Sequence, residues 1–138
     1  MRLTPHLSFD GRCEAAFRFY EQCLGGKILM MMTHGESPMA DQTPPEWRSK
    51  IMHATIDVGG QVLMGGDPAP EHYQKPQGFG IALHIDRAEE ADRIFPLLAE
   101  NGAVQMPLQE TFWAQRFGAL VDQFGIPWLI NCEKEAPS

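Results

Sequence analysis

The 138-residue chain contains an internal repeat, and that repeat limits its possible folds more than any single motif does. Leu7–Met30 lies over Leu83–Met106 at a constant offset of 76 residues without a gap. The identical pairs are Leu7/Leu83, Asp10/Asp86, Glu14/Glu90, Ala15/Ala91, Phe19/Phe95, Gly26/Gly102 and Met30/Met106. Further along, an offset of 65 pairs Asp57 with Asp122 and Gly60 with Gly125, so the first copy carries the longer middle loop. Self-similarity at a fixed offset marks a structural unit present twice.

Each copy shows the same order of signals. A short alternating stretch, Leu3–Phe9 or Phe79–Ile85, reads as a strand. An Asp then opens a helical pattern, about Arg12–Leu24 and Ala88–Glu100, and Asp86 and Glu89 have capping-box spacing. Gly25-Gly26 and Asn101-Gly102 supply the stops. Three strands follow in each copy: Lys27–Met32, Lys50–Val58 and Gln61–Gly65, then Val104–Pro107, Arg116–Asp122 and Pro127–Asn131. Gly59-Gly60 and Phe124-Gly125 mark the last hairpin turns. The expected fold is therefore α+β, built from two βαβββ modules, about residues 1–67 and 78–133 of a single domain spanning 1–138.

The net charge of −7 argues against a nucleic-acid surface, which needs concentrated Lys and Arg. No apolar run is long enough to span a bilayer, and the N-terminus lacks the apolar core of a signal peptide. The cysteines, Cys13, Cys23 and Cys132, form no CxxC pair and cannot all be bridged, which fits reduced thiols in a cytoplasm.

Three stretches, "FDGRCEAAFRFYEQCLGG", "HATIDVGGQVLMGGD" and "FWAQRFGALVDQFGIPWLIN", together with the doubled βαβββ order, resemble the vicinal oxygen chelate superfamily. That superfamily includes glyoxalase I, extradiol dioxygenases and bleomycin-binding proteins. The closer resemblance is to its PhnB-like branch, which carries the label 3-demethylubiquinone 3-methyltransferase-like. The resemblance implies that the strands curl into a mixed sheet around a small-molecule cavity, with the helices outside. It also implies a twofold homodimer. A methyltransferase would need a glycine-rich strand-to-helix turn for its cofactor, and this topology offers none.

Alternation along the strands sorts the side chains. Leu3, Leu7 and Phe9 share a row expected under the first helix, as do Phe79, Ile81, Leu83 and Ile85 under the second. His6, His53 and His84 then face the cavity. The repeat offset adds Arg116 and Trp128, and Trp113 stands beside them, which completes the expected ligand pocket. Each also has a plainer role available: a hydrogen-bonded imidazole, a packing indole, or an Arg paired with a carboxylate.

Metal-dependent members of the superfamily draw four ligands from the first and last strands of the two modules. Here His6 matches Ala82, His84 matches Ser8, and Leu63 matches Trp128, so the standard quartet is not expected and no cofactor is assigned. Two functions remain. One is a metal-independent binding protein for a small organic ligand. The other is a lyase, isomerase or dioxygenase using a divalent ion on a non-standard set such as His6, His53 and Glu36.

Overall fold

The computed structural model describes residues 1–134. Its elements run β1 (His6–Ser8), α1 (Cys13–Leu24), β2 (Lys27–Thr33), β3 (Ile51–Val58), β4 (Gln61–Gly66), β5 (Ile81–His84), α2 (Ala88–Leu98), β6 (Ala103–Gln109), β7 (Ala114–Val121) and β8 (Pro127–Glu133). The fold is α+β, and the unit βαβββ occurs twice. The strands form two four-stranded mixed sheets, ordered β1-β4-β3-β2 and β5-β8-β7-β6. In each sheet the first strand pairs parallel with the last, and the remaining neighbours are antiparallel. Contacts divide the chain into a unit at Met1–Lys75 and a unit at Pro76–Ser138.

Each helix covers one face of its own sheet. On α1 the buried residues Cys13, Ala16, Phe17, Tyr20 and Cys23 follow the three-and-four spacing of a single helical stripe. Ala91, Ile94, Phe95 and Leu98 form the stripe on α2. A phenylalanine from each helix rests on a glycine. A Cβ at Gly65 of β4 would lie 2.9 Å from the Phe17 ring, and one at Gly118 of β7 would lie 2.7 Å from Phe95 Cε2. The two glycines lie on non-equivalent strands of their sheets, so the two contacts are not copies of one another.

Several boundaries differ from the sequence expectation. β1 is only three residues long, and Leu3 is 95% exposed instead of lying under α1. Phe79 likewise falls outside β5 and is exposed. The capping box at Asp86 does not form. Arg87 occupies the N-cap of α2 with no side-chain cap, and Glu89 accepts from the Arg87 guanidinium at 2.8 Å instead. The start of α1 is completed from a distance by buried Asp67. Its Oδ1 accepts from the Gly11 and Cys13 N–H groups (3.0 and 3.1 Å), and its Oδ2 accepts from the Ile51 N–H (2.9 Å).

Candidate functional site

In the first unit the face of the sheet away from α1 carries the two histidines. His6 pairs in register with Met64, and Met64 with Thr55, so these three share a face; His53 lies two residues from Thr55 on the same side, paired with Met32. Burial lowers the His6 pKa from its ordinary value, and His53 nearby lowers it further. The longer middle loop of the first copy, between β2 and β3, is folded into short 3-10 turns. Two of its side chains are anchored to Asp67: its carbonyl oxygen accepts from His34 Nε2 at 2.7 Å and from the Trp47 indole N–H at 3.4 Å.

In the second unit the helix-free face holds a row of different chemistry. His84 pairs in register with Asn131, and Asn131 with Phe117. The Asn131 amide donates to His84 Nδ1 at 3.3 Å. The Trp113 ring meets Phe117 at 5.4 Å and Phe112 at 4.8 Å, both edge to face. Phe112 is 89% exposed and Trp113 47%, so the aromatic end of the row is open to solvent. At the other end is a cavity of about 200 Å³ lined by His84, Ile85, Asp86, Asn131 and Glu133.

Two expected pocket residues belong to the opposite face. Trp128 is 1% exposed and stands in the row Trp128, Ile130, Cys132, which shares the α2 side with Gly118 and Leu120. Its indole N–H donates to Asp122 Oδ2 at 2.8 Å. Arg116 also turns toward α2, where Nε donates to Asp92 Oδ1 at 2.8 Å and the carboxylate holds the guanidinium charged. The error lies in the hairpin. Lys27 pairs with Asp57 where Ala103 pairs with Val121, so β3 maps onto β7 at an offset of 64. His6 pairs with Met64 where Ala82 pairs with Leu129, so β4 maps onto β8 at 65. The second turn is thus one residue longer, and a slip of one reverses every side chain on β7. Trp128 falls on the core side with its repeat match Leu63, which pairs with core Ile56.

The family model for the Glyoxalase/Bleomycin resistance protein/Dioxygenase superfamily matches residues 3–130. The chain belongs to that superfamily. Among curated relatives of this glyoxalase-type chain, the protein YjdN of Escherichia coli K12 is 37% identical, covering 100% of this chain and 99% of the relative. Among solved structures, protein PA1353 of Pseudomonas aeruginosa is 44% identical with a TM-score of 0.89, covering 98% and 99% of the two chains. A PhnB protein of Bacillus cereus is 26% identical with a TM-score of 0.81, covering 96% and 99%.

The superfamily's metal chemistry needs hard or borderline donors gathered around one ion. Here the in-register partner of His6 is Met64, and that of His84 is Asn131, so neither histidine faces a carboxylate across its strand pair. Glu36 closes a capping box with Thr33, whose N–H and hydroxyl hold its carboxyl below the usual range. Among the described residues no three His, Cys, Asp or Glu side chains gather as a metal set.

The sequence reading passed over Asn131, Phe117 and Glu133. One signal was available for two of them: Trp128, Ile130 and Cys132 alternate with Leu129, Asn131 and Glu133, which separates a core row from a polar one.

Proposed function

We propose that this chain is a PhnB-like binding protein for a small organic molecule, acting without a resident metal and taking its ligand on the helix-free face of the second unit. The observation that carries this reading is the row His84, Asn131, Phe117 and Trp113, which joins hydrogen-bonding groups beside a cavity to an exposed aromatic edge. Binding sites of small ligands combine these two things: apolar area for affinity and a few polar groups for orientation. The proposal includes a cytoplasmic homodimer, in keeping with the absence of any helix among the described residues able to cross a membrane and with the frequency of closed twofold symmetry.

A small-molecule library screened by thermal shift tests the reading. Compounds that raise the melting temperature of the wild type should fail to raise that of Trp113→Ala, and should act equally on protein stripped with a chelator. Hits that survive Trp113→Ala, or vanish on chelation, would reject it. Light scattering should report twice the 15.5 kDa chain mass.

A further inference from the structure

We infer that the helix-free face of the first unit binds a soft monovalent cation, copper(I) or its analogue silver(I). Its donors are the thioethers of Met64 and Met32 and the imidazoles of His53 and His6. This goes beyond the binding reading above, which places its ligand in the second unit.

Sulfur is concentrated on this sheet. Five of the chain's eight methionines, Met30, Met31, Met32, Met52 and Met64, lie on β2, β3 and β4, and strand register sorts them by face. Met31 pairs with Ala54, which pairs in turn with Gly65 under the Phe17 ring of α1, so Met31 stands in the core row. Met32 pairs with His53, Met30 with Thr55, and Met64 with Thr55 on one side and His6 on the other. These form the helix-free row. A methionine that fills a core gap is explained by packing. That account does not serve here, because Met30 is 44% exposed and Met32, Met64 and His53 are only half-buried.

The spacing suits one shared ion. Side chains directly opposite on neighbouring strands have Cβ atoms about 5 Å apart, and diagonal neighbours about 7–8 Å. His6 is therefore beside Met64, His53 is beside Met32, and Met64 is diagonal to His53 with the short Thr55 between. Burial and, next, the nearness of His53 lower the His6 pKa. The two rings thus stand within electrostatic reach, and His6 is neutral at neutral pH with a lone pair to give. Each thioether turns on flexible bonds, so Met64 and Met32 can close on an ion between the histidines.

The donor set chooses the ion. Thioethers are soft and select copper(I), whereas zinc, nickel and iron(II) favour sites with carboxylate or thiolate among their ligands. No three His, Cys, Asp or Glu gather among the described residues, so sulfur from methionine is what completes this set. The three thiols, stronger ligands for the same ion, are all buried. A closed d-shell imposes no geometry of its own, which lets donors from one sheet face serve.

The test titrates silver(I) nitrate into the full chain in chloride-free buffer and follows isotopically labelled methionine ε-methyl groups by NMR. One equivalent should saturate the site and move the Met64 and Met32 signals. Met39 and Met106, exposed at 53% and 40% and outside this face, should stay in place. Met64→Leu and Met32→Leu keep the side-chain volume and remove the sulfur. Each should weaken silver binding at least about tenfold, the scale on which metal sites respond to losing a supporting group. Met106→Leu should change nothing, and an equal concentration of zinc should not displace the silver. Equal movement of Met39 and Met106 would overturn the inference, as would displacement by zinc or uptake that never saturates. Affinity unchanged in Met64→Leu would overturn it too, by assigning the uptake to the thiols. None of these outcomes bears on the ligand row of the second unit, which the thermal-shift screen tests separately.

Discussion

Trp128 donates its indole N–H to Asp122 Oδ2 at 2.8 Å, with both side chains almost wholly out of solvent. Asp122 Oδ1 meanwhile accepts from the Phe124 and Ile126 N–H groups at 2.8 and 3.0 Å. One carboxylate therefore ties the β7–β8 turn to the start of strand β8, and the indole is part of the scaffold. Trp128→Phe should lower unfolding free energy by about 1–3 kcal/mol through loss of a bond to a buried charge. Trp113→Phe, at an exposed ring, should stay within about 0.5 kcal/mol. Urea unfolding of the two variants checks the order, and equal losses would place Trp113 in the core as well.

Asp67 should be the most sensitive carboxylate of the first unit. An amide in its place would turn an NH₂ group toward one of the three N–H donors that it now receives. Asp67→Asn should cost about 2–3 kcal/mol. Asp57→Asn, whose side chain accepts only from Gly60 N–H at an exposed turn, should cost less than about 1 kcal/mol. Similar denaturation midpoints for the two variants would show that the buried contacts contribute little.

The thiols should be inert in the native state. Burial, and next the charge of Asp67, push the Cys13 pKa up; burial is the main cause for Cys132 too. Iodoacetamide in mildly alkaline buffer should leave both unmodified in the folded protein and label all three cysteines after unfolding. Native labelling of Cys13 would mean that the α1 start opens locally.

Stability should fall in mild acid through His6. Its folded pKa is below the ordinary 6.5, so the unfolded chain takes up the proton first. The fold is unpenalised above that value and progressively destabilised as pH drops from it toward the lowered folded pKa. The urea midpoint should therefore decline as pH falls below about 6.5, and decline less in His6→Gln. The same slope in both proteins would assign the effect to other groups.

The doubled βαβββ order was readable because hydrophobic period and turn residues agree along most of each copy, from Leu7/Leu83 to Gly26/Gly102. The site was harder to read. The faces of His6, His53 and His84 follow from alternation within single strands, which needs no gap placement. Arg116 depended on carrying a register across a hairpin, and one added turn residue reversed it. Trp128 was placed by analogy with Leu63, a position that itself belongs to the core row. Glycine-bearing turns of slightly different length look alike in sequence, and only their hydrogen bonds count the residues.

The long reach of Asp67 has a consequence for synthesis. The N–H groups at the start of α1 wait for an acceptor that lies 54 residues beyond Cys13 in the chain. While the chain grows, that helix end has only water to satisfy it until the residue after β4 has emerged. In the second unit α2 starts at Arg87, whose own side chain makes no cap. A chain halted before Asp67 would hold every residue of α1 but not the group that closes its amino end.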